Sequence, residues 1–242
     1  MEDATHMVDT NSHQSIYRSG EYALKNPTWH IEHSPWKAKN ILHMMKRNGI
    51  SPRTICEVGC GAGEILYQLQ NNMNAECEFD GYEISPQANS LSLEKANDKL
   101  RFHLEDFLNA KTNFDIILLI DLIEHLENYH GFLKEIHSRS NYKILNIPLE
   151  LSFYTVLNPN FLQREYERCG HLHYFTKEIA LRSLEHCGYR IIDWFYVHSL
   201  IEFPPKRMLG CLVKSVIQIA TRINDDWAAR IFGCNSLVVL AR

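Results

Sequence analysis

The sequence predicts an α/β fold, a seven-stranded and mostly parallel sheet with helices on both faces. Short apolar, strand-like runs alternate with helical periodicity at least five times from Arg53 onward, the pattern of a parallel sheet with crossover helices. One of those runs, FDIILLI at 114–120, is apolar almost throughout, as a strand buried on both faces must be. A glycine-rich turn, GCGAG at 59–63, joins a short apolar strand to a helical segment. Ligands of open parallel sheets bind at such junctions, at the carboxyl ends of the strands.

The elements follow in order. Residues 1–14 are polar and aperiodic, and disorder is expected there. Residues 17–36 are dense in rings: Tyr17, Tyr22, Trp29, His30, His33 and Trp36. Helical spacing runs from Pro35 to Arg47 until Asn48-Gly49 stops it. TICEV at 54–58 is the first strand, and Ile65, Leu66 and Leu69 share one face of the helix after the glycine turn. CEFDGYE at 77–83 is the second strand; Ser85 caps the next helix, with Pro86 at its first position. LRFHLED at 100–106 and FDIILLI are the third and fourth strands, and a helix is predicted from Asp121 to Ser138. YKILNIP at 142–148 is the fifth strand, followed by a connection to Gly170 long enough to carry specificity. A helix over Thr176–Cys187 ends at Gly188, YRIIDWFYV at 189–197 is the sixth strand, and SLVVLA at 236–241 is the seventh. Between these two, positions 206–232 read as amphipathic helices, with Met208, Leu212, Val216 and Ile219 near one face for core packing or a subunit contact, so a homodimer is considered.

Composition narrows the function. The chain has 242 residues, 45% of them hydrophobic, enough for one large domain with a substantial core. Its net charge is -4 and it has no Lys/Arg stripe, so a nucleic-acid partner is not expected. The seven cysteines include no CxxC pair, which speaks against a disulfide framework or structural zinc and for a reducing, cytoplasmic setting. The start lacks the pattern of a secretory signal, and no apolar run approaches the ~20 residues of a membrane span.

The glycine turn, in the context ICEVGCGAGEI, admits three readings. A plain tight turn needs fewer glycines. A dinucleotide fold would use GxGxxG, but its third glycine falls at Glu64, and Glu57 and Glu64 would crowd a pyrophosphate with like charge. A ligand with a cationic amino-acid end and no phosphate suits both carboxylates, and the glycines let backbone approach it closely.

EVGCGAG resembles the first motif of the class I S-adenosylmethionine-dependent methyltransferases, and the resemblance runs from about Arg53 to the final strand. It implies a Rossmann-like sheet and S-adenosylmethionine held by Glu57, Gly59, Cys60, Gly61 and Gly63. It implies that Glu83, with Ile84 beside it, binds the ribose hydroxyls, and that Asp106 and Phe107 hold the adenine. By the same analogy residues 15–50 form an N-terminal helical lid, and residues 51–242 the methyltransferase domain, with a helical insertion at about 204–232.

After the fourth strand comes DLIEHLEN, in which Asp121, Glu124 and His125 share one face if the segment is helical. One reading is a capping box, with Asp121 and His125 lining the cofactor pocket. The other is an open divalent-metal site for Mg or Mn. The motif resembles ExxEH in ubiquinone-biosynthesis O-methyltransferases and in small-RNA 3′-end 2′-O-methyltransferases, with His171 matching the further histidine of the RNA enzymes; the ligand set is then Asp121, Glu124, His125 and His171, although Asp121 stands where those families have Glu. Without a metal the base is a histidine, with His171, His173, His125 and His30 as candidates. Tyr17, Tyr22, Trp29, His33, Trp36, Arg164 and Arg168 are candidate acceptor contacts. The function expected is O-methylation of a small molecule or glycan. The alternatives are metal-dependent 2′-O-methylation of an RNA 3′ end and a non-catalytic cofactor-binding subunit.

Overall fold

A computed structural model describes residues 14–158, 160–203, 208–233 and 235–242, with backbone alone at 200 and 208–213. The disorder expected over 1–14 falls, Gln14 apart, outside the described residues. The strands are β1 Thr54–Val58, β2 Glu78–Glu83, β3 Leu100–Leu104, β4 Phe114–Ile120, β5 Ser140–Leu149, β6 Ile191–Val197 and β7 Asn235–Ala241. They form one sheet in the order β3-β2-β1-β4-β5-β7-β6. All neighbours pair in parallel except β7, which runs antiparallel to both β5 and β6.

Three short helical pieces precede the sheet: α1 Ser15–Arg18, α2 Glu21–Lys25 and, after a tight turn, α3 Ser34–Arg47. Between strands lie α4 Glu64–Asn72, α5 Pro86–Leu93 and α6 Tyr129–Glu135. The long connection after β5 folds into α7 Phe153–Leu157 and α8 Phe161–Cys169, and α9 Lys177–His186 leads to β6. α10 Ser199–Glu202, α11 Met208–Ile223 and α12 Asp225–Phe232 then precede β7.

Local chemistry sets many of these boundaries. Ser85 Oγ accepts from the Ala88 N–H at the start of α5, and Pro86 needs no donor partner there. Thr176 caps α9 through Ile179 N–H. Gly49, with φ +65°, follows α3, and Ile50 N–H returns to the Met45 carbonyl. Each sheet face carries its own core. One packs Leu133 of α6, Ile136 just after it, and Ala180 and Leu184 of α9 against the strands. The other packs Ile41, Met44, Leu66 and Leu69 of α3 and α4.

Two expectations are corrected. No continuous helix spans 121–138: a 3-10 turn covers Ile123–His125, Leu126 is extended, and α6 starts only at Tyr129, where Asn128 accepts from Gly131 N–H. Asp121 has φ +50°, outside any helix, and its carboxylate bonds Lys37 and Asn146 instead of the N–H groups of the 3-10 turn, so it caps nothing. On α11, Val216 and Ile219 face solvent while Ile217 is buried, so of the two uses expected for that face core packing does not hold at these positions and a subunit contact stays open; the side chains of Met208 and Leu212 lie outside the described residues.

Candidate active site

A cavity of about 430 Å³ opens at the carboxyl ends of β1, β2, β4 and β5, and residues of α1–α3 and the turn before α3 roof it. The glycine turn forms its floor. Gly59, Gly61 and Gly63 all have positive φ, 54° to 73°, which L side chains rarely adopt. The turn hangs on β2: Gly59 and Cys60 N–H donate to the Tyr82 carbonyl at 2.8 and 3.1 Å, and Gly61 N–H donates to Glu83 Oε2 at 2.9 Å. Glu83 Oε1 accepts from Ile84 and Ser85 N–H at 2.7 and 2.8 Å. Burial pushes the Glu83 carboxyl up, and these backbone N–H groups partly offset it.

Glu57 is buried beside the turn, and its Oε2 has no hydrogen-bond partner among the described residues. Burial pushes its carboxyl well above the usual range, with Lys37 opposing. Asp121 differs. Lys37 Nζ sits 2.6 Å from its Oδ2, and Asn146 Nδ2 donates to Oδ1. Burial alone would raise Asp121, but Lys37 and Asn146 outweigh it and hold the carboxyl below its ordinary value.

Beyond Asp121 lies a second group. Glu124 is fully buried, and neither of its carboxylate oxygens has a partner among the described residues. Its ligating oxygen and ring nitrogens of His125 and His171 lie within 4.8 Å of one another. Burial first, then Asp121, pushes Glu124 up. His125 Nδ1 lies 3.1 Å from the Gly170 carbonyl oxygen, which only accepts, and 3.0 Å from Tyr17 Oη, so Nδ1 carries the proton. His171 Nδ1–H donates to Glu150 Oε2 at 2.7 Å. The Glu124 carbonyl accepts from Leu172 and His173 N–H, which fixes the segment carrying His171 against the 3-10 turn. One carboxylate and two imidazoles, open on one side, suit a divalent ion. Asp121 is not part of this cluster, because Lys37 and Asn146 already engage both of its oxygens.

A glycine turn at the end of the first strand, an acid ending the second and an acid-histidine cluster after the fourth share one cavity, and a family model described as a methyltransferase domain matches residues 29–193. The chain belongs to the methyltransferase domain family. A ubiquinone biosynthesis O-methyltransferase of Rickettsia typhi is 26% identical over 125 residues, 50% of this chain and 49% of that protein, so the match spans about half of the curated relative's length. Magnesium protoporphyrin IX methyltransferase from Synechocystis PCC 6803, solved with bound SAM, shares the fold at a TM-score of 0.60 and 12% identity, covering 95% of this chain and 96% of that one. A methyltransferase of Haloferax volcanii, solved in complex with the activator Trm112, superposes at a TM-score of 0.65 and 14% identity over 95% and 96% of the two chains.

In this methyltransferase the roof is an aromatic ladder. Tyr17 and Tyr22 ring centroids are 4.8 Å apart, Tyr22 and Trp29 5.0 Å. Trp29 reaches the floor, where a Cβ on Gly61 would lie 3.7 Å from its ring. Asn26 Nδ2 and Lys25 Nζ donate to carbonyls of Arg168 and Glu167, tying the roof to α8. His30, His33 and Trp36 also line the cavity, as does Arg168.

Other predicted site residues lie elsewhere. Phe107 is a core residue, 1% exposed, with the Arg139 guanidinium 4.0 Å over its ring, and Asp106 accepts from Leu108 N–H; neither lines the cavity. His173 Nε2–H donates to the Leu126 carbonyl and its ring packs on Tyr129, away from the cavity. Arg164 is exposed and bonds the Asn160 carbonyl. Gly63 shapes the turn without lining the cavity. Sequence reasoning missed Lys37, Asn146, Glu150 and Glu165, all of which line it. Only Asn146 carried a signal, as a polar residue interrupting the apolar fifth strand.

Proposed function

We propose that this methyltransferase transfers the methyl group of S-adenosylmethionine to a hydroxyl oxygen of a small molecule or glycan, leaving S-adenosylhomocysteine. The observation that carries the oxygen is Glu124: a fully buried carboxylate, both oxygens without partner among the described residues, beside His125 and His171. An unpaired buried charge costs several kcal/mol, so Glu124 holds a proton when no ion is bound and would exchange it for a cation. The O-methyltransferase relative from Rickettsia typhi and the SAM-bound structural neighbour support the same reading.

Bound at the floor, S-adenosylmethionine supplies an electrophilic methyl carbon. The orphaned Glu57 oxygen receives its ammonium, Glu83 accepts from the ribose hydroxyls on the lone pairs its backbone donors leave open, and Gly59, Cys60, Gly61 and Ile84 give it close backbone contact. Asp121, neutralised by Lys37, forms the wall between floor and acceptor end. Glu124, His125 and His171 would hold Mg or Mn, which lowers the pKa of an acceptor hydroxyl. Tyr17, Tyr22 and Trp29, as part of a lid, exclude water, and His30, His33, Trp36 and Arg168 contact the acceptor. Should the site work without metal, His171 is the base. His171 also favours a second reading, an RNA 3′-end acceptor.

Isothermal titration with S-adenosylmethionine and product assays over a panel of hydroxyl acceptors, with EDTA and with added Mn, test the proposal. Binding is expected, with turnover lost on chelation and restored by Mn. Methylation confined to amines, or untouched by complete chelation, would reject the metal-assisted hydroxyl reading; salt-dependent binding of short RNA would move the acceptor to a polynucleotide.

A further inference from the structure

We propose that Glu150 is a positioning residue that holds the proton of His171 on Nδ1, and so leaves its Nε2 lone pair for an ion shared with Glu124 and His125. This rests on the reading of Glu124, His125 and His171 as the acceptor-activating group. The backbone at Glu150 is held firmly just beyond β5. Its carbonyl accepts from Thr155 Oγ1, and Ser152 and Thr155 form a reciprocal capping box that starts α7. Gly233 presses on that box: a Cβ there would meet Ser152 Oγ at 2.7 Å. From this support the carboxylate of Glu150 reaches His171 Nδ1 at 2.7 Å, with 14% and 10% of the two side chains exposed.

The other carboxylate near His171 does not compete. Glu165 belongs to the same cluster as Glu150 and His171, but Arg168 Nη2 donates to its Oε2 at 2.6 Å. Glu150 therefore decides the tautomer. With the proton on Nδ1, Nε2 offers a lone pair. With the proton on Nε2, His171 would turn a donor instead of a lone pair toward the cluster with Glu124 and His125.

The test uses the full chain. Long-range nitrogen–proton spectra at pH about 9, where imidazole is neutral, with the His171 signals identified by their loss in His171→Asn, report the tautomer. Mn(II) titration followed by electron paramagnetic resonance reports the cluster. Wild type is expected to show Nδ1–H. Glu150→Ala is expected to move the proton to Nε2 and to weaken Mn(II) binding by roughly 10–100-fold. Glu150→Gln keeps an acceptor and the side-chain shape, gives a smaller loss, and decides the matter if the alanine variant does not fold. An Nδ1–H tautomer retained in both variants overturns the proposal, as does Mn(II) affinity equal to that of a wild type that binds the ion. A wild type that binds no Mn(II) sinks the metal reading of the site instead, and the tautomer still decides the role of Glu150.

Discussion

Lys37 brings a positive charge into a cavity crowded with Glu57, Glu83, Asp121 and Glu124. Its ammonium would be lowered by burial, yet Asp121 more than offsets that and raises it, so it stays charged. Removing it leaves Asp121 half-paired in a left-handed turn that is already strained. Lys37→Met is expected to lose about 1–3 kcal/mol in urea unfolding, the pair being partly buried. Adding Asp121→Asn to that variant should recover part of the loss, since no uncompensated charge remains; a double variant weaker than the single one would contradict the pairing. Gly63 gives a sharper case. Its φ is +73°, and a Cβ there would sit 2.5 Å from the Phe102 ring and 2.9 Å from Ser92. Gly63→Ala is expected to lose about 2–4 kcal/mol, the sum of left-handed strain and overpacking, without touching the cavity directly. Gly63 was marked by its place in the glycine turn, but Lys37 does not advertise its role. A lysine on an amphipathic helix reads as a solvent-facing side chain, and the partner that redirects Lys37 lies at the far end of β4.

At the scale of elements, the sheet's β2–β3 margin is laced by charge. Arg101 donates to Asp80 through Nε and Nη2 and to Glu78 through Nη2, and the His103 ring bonds Asp80 as well. Burial alone would raise the Asp80 carboxyl, but these bonds hold it below its ordinary value. A carboxyl lowered on folding contributes stability that is full above the unfolded value of about 3.9 and is lost as pH falls through the folded one. Asp80→Asn should therefore lower stability above pH about 4 and flatten the acid limb below it, where the wild type loses the same contribution; an unaltered acid limb would show that Asp80 contributes nothing to it. The segment after β4 shows where element-level reading fails. Helical spacing of Asp121, Glu124 and His125 is real in the sequence, but Asp121 N–H donates to the Asn146 carbonyl on β5 and is drawn into the sheet edge. Glu124 and His125 still come together with His171, through a 3-10 turn instead of a helix. Phe107 lies in the core and not at the cavity wall: an aromatic one residue past a strand-end acid looks the same in sequence whether it faces a ligand or the core.

For the whole molecule, the seven strands and their boundaries were legible because each is a short apolar run between turn residues. The cavity floor was legible because positive φ demands glycine. The acceptor end was only half legible: His171 was found, while Glu150 and Glu165 belong to a connection whose contacts exist only after folding. Roof and floor meet through Trp29 and Gly61, so ligand binding should register in global stability. S-adenosylmethionine at 100 times its Kd is expected to add about 2.7 kcal/mol, or roughly 5–10 °C in Tm for a chain of this size. Trp29→Ala should shrink that shift, and a shift no larger than ATP produces would count against the floor as the cofactor seat. The antiparallel strand has a consequence of another kind. β7 follows β6 in sequence, yet it lies between β5 and β6, with Lys143 paired to Ala241. Until it docks, β5 has one open edge and β6 has no partner in the sheet. Such long-range closure slows folding and leaves apolar strand edges bare in the interim. The nascent chain is thus most prone to aggregate just before β7 arrives, and expression at low temperature or with a holdase should raise the soluble yield more than it does for chains whose sheet closes with an edge strand.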